Sequence, residues 1–200
     1  MSQFKPIYPQ GATPLDPNEI EGLIPDYITT QCELNILEQQ NIIEGIDWAE
    51  RQKKPNVLSI TFSYKLHEQM FNQVWKWAGK QRTRDKNIGS HWQQIPTQLN
   101  HLFENTSYWI ENNTYKWDEL ATRFHHKLVF IHAFPNGNGR HARLMTDILL
   151  SLNNQESFTW GEKMHSSPID VEGKTRKAYI SALKKADNNE FTDLIKFAKS

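Results

Sequence analysis

The chain has 200 residues, which is one domain's worth with room for a short appendage. Lys+Arg and Asp+Glu each total 23, so the formal net charge is zero and no global basic field exists to hold nucleic acid by its phosphates. Apolar residues at 38%, with seven Trp and ten Phe, suffice for a packed core, while the single cysteine, Cys32, excludes an internal disulfide and any multi-cysteine zinc site.

Residues 1–15 carry three prolines and little periodicity, and are expected to form an extended arm before a single domain over 16–200. Met1 to Gln10 lacks the apolar stretch of a signal peptide, and no apolar run approaches the roughly 20 residues of a bilayer span. The expectation is a cytoplasmic protein that contacts neither membrane nor nucleic acid directly.

Asp16-Pro17-Asn18-Glu19 and Thr30-Gln31-Cys32-Glu33 each set a capping residue three positions before a glutamate, so a helix is expected to start at each. Thr61 to Ala78 carries Leu66, Met70 and Val74 at steps of four and stops at Gly79, the pattern of an amphipathic core helix. Arg82 to Ile95 breaks that spacing around Asn87-Ile88-Gly89 and predicts a short β-hairpin or flap-like loop. Further helices are expected over 96–111, 117–131, from the Asn/Gly turn to Leu152, over 173–186 and over 189–198. The fold class that follows is all-α and compact, with one hairpin flap.

Between two apolar helices lies His132-Ala133-Phe134-Pro135-Asn136-Gly137-Asn138-Gly139-Arg140-His141-Ala142-Arg143. Gly137 and Gly139 among asparagines allow a turn whose backbone N–H groups converge on an anion, and the next helix adds its unpaired N-terminal donors. Arg140 and Arg143 lie near that N-terminus, where cations oppose the helix dipole unless an anion is present. His132 is the group able to take a proton beside such an anion near neutral pH. The same residues also read as a plain turn between helices, with Arg143 paired to Asp147 and His132 a satisfied core residue.

The segment resembles the Fic family signature, H-x-F-x-[Asp/Glu]-G-N-G-R-x-x-R, at His132, Phe134, Gly137, Asn138, Gly139, Arg140 and Arg143. Trp77-Ala78-Gly79-Lys80 with Arg82 and Asn87-Ile88-Gly89 is similar to the family's flap region, and Tyr179 to Phe197 to its closing helices. Gly11 to Asp16 and Ile28-Thr29-Thr30 resemble the branch called mobile mystery protein B. The resemblance implies adenylylation, the transfer of AMP from ATP to a Ser, Thr or Tyr hydroxyl of a target protein. It makes His132 the general base. Gly137, Asn138 and Gly139 become the holders of the α- and β-phosphates, Arg140 the partner of the β-phosphate and Arg143 of the γ-phosphate. Asn87, Ile88 and Gly89 become the target-binding flap, clamping the target's backbone as an added strand.

Two positions depart from the family pattern. Asn136 stands where the signature is acidic, so a Mg²⁺ that comes with ATP meets an amide oxygen in place of a carboxylate and is weakly anchored. Ile42-Ile43-Glu44-Gly45 resembles the end of the family's inhibitory helix, implying a Glu44–Arg143 ion pair, although Gln40 replaces its Ser or Thr; an exposed helical glutamate explains the same residues. Other readings are a non-catalytic nucleotide-binding module partnered with a DNA-binding protein encoded beside it, a phosphotransferase on the same fold, and a zinc hydrolase using His125, His126, His132 and His141. Gly139 argues against phosphotransfer by resemblance, and the histidine spacing lacks the HExxH arrangement of a zinc enzyme.

Overall fold

Asp16 and Thr30 start the first two helices as their spacing demands. Glu19 Oε2 accepts from Asp16 N–H at 2.7 Å at the head of α1 (Pro17–Ile20), and Glu33 does the same for Thr30 N–H at 3.0 Å at the head of α2 (Gln31–Glu50). The computed structural model describes residues 6–7, 13–162, 169 and 173–200. Among them follow α3 (Ile60–Phe71), α4 (Ile95–Glu111), α5 (Trp117–Ile131), α6 (Asn138–Leu152), α7 (Lys174–Ala186) and α8 (Thr192–Ala198), so the all-α class holds. No helix among the described residues is long and apolar enough to cross a membrane.

α3 ends at Phe71, earlier than the apolar spacing predicts. Val74 and Lys76 leave the helix to pair with the chain after α1: Ile24 N–H donates to Val74 O and Lys76 N–H to Gly22 O, both at 2.9 Å. This tertiary pairing, with Trp75 stacked on Trp77 at 4.9 Å, outweighs the helical pattern. α8 likewise begins later than expected, because Asn189 takes a positive φ of 64° in a turn.

The expected hairpin is absent: residues 82–91 form an irregular loop, followed by a single 3-10 turn at Trp92–Gln94, and no strand occurs among the described residues. The loop's carbonyls at Arg84 and Ser90 turn inward to the buried Arg82 guanidinium, so they do not face a partner strand. Of the expected arm, Thr13 to Leu15 is without regular structure, yet Thr13 and Leu15 are buried. Most of the remaining arm, with Gly11 and Ala12, lies outside the described residues.

The core is built where α3, α4, α5 and α6 meet, from Leu66, Met70, Phe71, Leu99, Leu120, Phe124, Ile131, Phe134 and Met145. A second cluster, Tyr179, Leu183, Phe191, Leu194 and Phe197, closes α7 and α8. Burying each such side chain contributes roughly 1.5–3 kcal/mol. Phe134 stacks on His67 at 3.7 Å between ring centroids, so the α5–α6 connection is fastened into the core and not left on the surface.

Candidate active site

α5 stops at His132, its C-cap, with a left-handed φ of 55° that a non-glycine residue adopts only under constraint. Both ring nitrogens of His132 are buried without a hydrogen-bond partner. Burial, and after it the charge of Arg82, brings its pKa down to about 4 against the smaller opposing effect of the Val129 backbone, so the imidazole is neutral at neutral pH, in the form that can accept a proton.

The loop that follows is closed by Asn138. Its Oδ1 accepts from Phe134 N–H at 2.9 Å and its Nδ2 donates to Phe134 O at 2.8 Å, imitating a backbone pairing. The expectation that the Asn138 amide reaches a phosphate is therefore corrected: the side chain is buried and spent on the loop, leaving only its backbone for a ligand. Gly137 has φ +78°, and a β-carbon there would lie 2.6 Å from the Phe71 ring. No side chain caps α6, so its first-turn N–H groups open toward the loop. A β-carbon on Gly139 would meet Tyr179 Oη only at 3.8 Å and Arg143 Nη1 at 3.9 Å, which leaves space beside that residue.

The two arginines serve different neighbours. Arg143 lies on the Gly139 and Tyr179 side, where its charge also acts on His125 and Asp147. Asp147 takes hydrogen bonds from Trp160 Nε1 at 2.9 Å and Phe158 N–H at 3.3 Å. Arg140 Nη1 instead donates to Glu38 Oε2 at 2.7 Å, with its guanidinium 4.9 Å over the Phe71 ring. Glu38 Oε1 also accepts from Trp75 Nε1 at 2.7 Å.

This geometry corrects the Glu44 expectation. Glu44 is exposed and accepts from Gln73 Nε2, while the α2 carboxylate that reaches a motif arginine is Glu38, and the arginine is Arg140, not Arg143. Gly45 has a packing role, since a β-carbon there would come within 3.0 Å of the Met70 backbone. Glu38 was findable: it falls on the buried stripe Leu34, Asn41, Ile42, Gly45 and Ala49 of α2, and a carboxylate on such a stripe requires a cation.

Asn136 is likewise not placed as a metal ligand. Its Oδ1 accepts from Gly137 N–H at 2.6 Å and its Nδ2 donates to Thr13 O at 3.5 Å. Among the described residues no group of three or more His, Cys, Asp or Glu could hold a metal ion. The residues here do not fit a protein-anchored Mg²⁺, since no carboxylate accompanies the amide. The four clustered histidines also diverge: His125 Nε2 meets Tyr179 Oη at 3.0 Å, His126 meets Asp187 at 2.8 Å and His141 donates to Ser63 O at 2.9 Å.

The expected flap lies directly against His132. Gly89 has φ +97°, and a β-carbon there would fall 2.6 Å from His132 Cβ. Asn87, Ile88 and Gly89 are exposed. On its other side Lys86 Nζ reaches Asp16 Oδ2 at 3.0 Å and Glu19 Oε2 at 2.5 Å, tying the loop to α1. Neither Lys86 nor Thr13 carries a sequence signal for these contacts, because each partner is far away along the chain.

Fold and site thus define a helical domain with a Gly/Asn loop after an enclosed histidine. Residues 57–150, which include the loop and both arginines, match the Fic/DOC family. It is 25% identical over 170 residues to the protein adenylyltransferase Fic of Drosophila mojavensis, covering 80% of this chain and 32% of that protein. The Drosophila grimshawi protein of the same name gives 25% identity over 170 residues and 33% of its length. The chain spans about a third of the length of these curated relatives.

Among solved structures, the BepC protein of Bartonella tribocorum with bound AMPPNP superposes with a TM-score of 0.64 at 15% identity, over 86% of this chain and 87% of that one. Fic-1 from C. elegans gives 0.63 at 21% identity, over 90% and 51%. A Bartonella quintana Fic domain with bound ADP gives 0.61 at 16% identity, over 87% and 86%. These likenesses show the fold.

Proposed function

We propose that this chain transfers AMP from ATP to a Ser, Thr or Tyr hydroxyl of a target protein. The observation that carries the reading is the neutral, unpartnered imidazole of His132, held at the left-handed end of α5 just before an uncapped helix N-terminus. A buried polar group left without a partner is rare, and a reacting hydroxyl supplies the one missing here. The relatives' name, and the AMPPNP and ADP bound to structural neighbours, support a nucleotide as the donor.

In the proposed step the target hydroxyl gives its proton to a ring nitrogen of His132 while its oxygen bonds to the α-phosphorus. The bond from that phosphorus to the oxygen bridging toward the β-phosphate breaks, and pyrophosphate leaves. The first-turn N–H groups of α6 and Arg143 neutralise the phosphates, so positioning and charge carry most of the catalysis. Mg²⁺ arrives as the counter-ion of the triphosphate.

α2 restrains the site through Glu38, whose carboxylate occupies the Arg140 guanidinium that a β-phosphate would otherwise take. Asn136 favours a second reading, a module that binds nucleotide without turning it over, because its side chain serves the loop and brings no carboxylate.

Mass spectrometry of the protein and of lysate proteins after incubation with ATP and Mg²⁺ tests the proposal. An AMP-sized addition is expected with the unmutated chain, and His132→Ala lowers it by about 10²-fold or more. Nucleotide binding without any addition establishes the second reading, and label retained only from the γ-position of ATP means phosphotransfer.

A further inference from the structure

Arg82 is a fully buried cation that the anion loop and α6 do not use. Its guanidinium is spread over backbone carbonyls from two segments. Nε donates to His132 O at 2.6 Å and Nη2 to Ile131 O at 3.5 Å, at the end of α5; Nη1 donates to Arg84 O at 2.7 Å and Nη2 to Ser90 O, within the flap. Main-chain bonds run alongside: Arg82 N–H to Ala133 O at 3.0 Å and Ser90 N–H to Ile131 O at 3.3 Å. The nearest carboxylate, Asp85 at 3.6 Å, is half exposed, so this charge is stabilised chiefly by carbonyl dipoles. Burying an arginine under carbonyl oxygens is costly for simple packing, where an apolar side chain of similar volume serves as well.

We infer that Arg82 is a positioning residue that locks the flap and His132 together as one unit, setting the imidazole and the target-binding segment in a fixed relation. A planar fork is needed because Nε, Nη1 and Nη2 each serve different carbonyls, on α5's end and on the flap; a lysine ammonium is a point donor and cannot serve them all. Two observations besides the fork agree with this. Gly89 allows the flap to approach His132 more closely than any side chain would permit, and the left-handed conformation of His132 is the one that delivers its carbonyl to Arg82. The inference rests on the reading of His132 as the base, but its first measurement does not need catalysis.

Diethylpyrocarbonate acylates accessible neutral imidazoles, and mass spectrometry resolves each site. In the unmutated protein His132 reacts slowly, as its nitrogens are enclosed, while the exposed His91 and His101 react fast. In Arg82→Lys, His132 becomes at least severalfold more reactive, whereas buried His67, His125 and His141 keep their protection. AMP transfer falls by about tenfold or more with nucleotide affinity changed less than about twofold, since the α6 N-terminus is untouched.

The inference is overturned if His132 stays protected in Arg82→Lys, or if His67, His125 and His141 become reactive together with it, which is the signature of a merely structural role. Should that variant fail to fold, hydrogen exchange on the unmutated chain decides: one fork predicts a single common opening for the Arg82 and Ser90 amides, and separate openings contradict it. An unmutated protein that shows the expected histidine pattern but no AMP transfer overturns the proposed function and leaves the Arg82 lock standing.

Discussion

His132 draws its character from its surroundings more than from its identity as a histidine. Burial is the largest cause of its lowered pKa and the nearby Arg82 charge the next, and together they keep the imidazole neutral down to about pH 4. A general base with that property gives a transfer rate flat from neutrality to about pH 5 and falling below it, not one that halves near the ordinary histidine value of 6.5. Rate measurements over pH 4 to 8 on the free enzyme check this, and an acid limb centred at 6.5 contradicts it. The residue types of the anion loop were readable from the sequence because each answers a local demand: Gly137 a positive φ, Phe134 an anchor in the core. Asn138 was read as a ligand donor and is a loop brace, since nothing local distinguishes an amide aimed at a phosphate from one aimed back at Phe134.

Among the elements, α2 carries the proposed restraint, through the buried Glu38 paired with Arg140. Glu38→Gln keeps an acceptor for Trp75 Nε1 but removes the charge that competes with phosphate at Arg140. Nucleotide affinity is expected to rise severalfold in calorimetric titration. The melting temperature should fall at the same time, because a largely buried ion pair is replaced by a neutral contact, at a cost of about 1–3 kcal/mol. An unchanged or weakened affinity makes Glu38 a structural brace only. The starts of α1 and α2 were legible from their caps, whereas the end of α3 and the start of α8 were not: the first is set by pairing with the chain after α1, the second by a left-handed asparagine. The flap failed as a hairpin for a related reason, as its carbonyls are collected by a buried arginine rather than by a strand.

The whole molecule buries an unusual set of neutral histidines. His125 is held to about 3, His132 and His141 to about 4, and His67 well below its ordinary value, with burial the largest cause in each. Their folded pKa values lie below the unfolded 6.5, so the stability they contribute is complete above pH 6.5 and is lost as pH falls toward 4. Asp147, raised to about 6 by burial, acts in the opposite sense, its contribution lost as pH rises from 3.8 through 6, but it is one group against five, since burial lowers His126 as well. Each tenfold difference in proton affinity is about 1.4 kcal/mol, a large share of a typical 5–15 kcal/mol. Thermal melts should therefore show a steep loss of stability between pH 6.5 and pH 4, and a melting temperature level across that range contradicts the account. By itself the sequence determined the all-α class, most helix starts and the Gly/Asn turn with its histidine and arginines, because capping, periodicity and φ demands act over a few residues. Only the tertiary structure decided that Glu38 rather than Glu44 meets an arginine, that Asn136 serves the loop, and that Arg82 joins the flap to His132. Those choices are made by burial, which forces each polar group to find a partner wherever the fold brings one within reach.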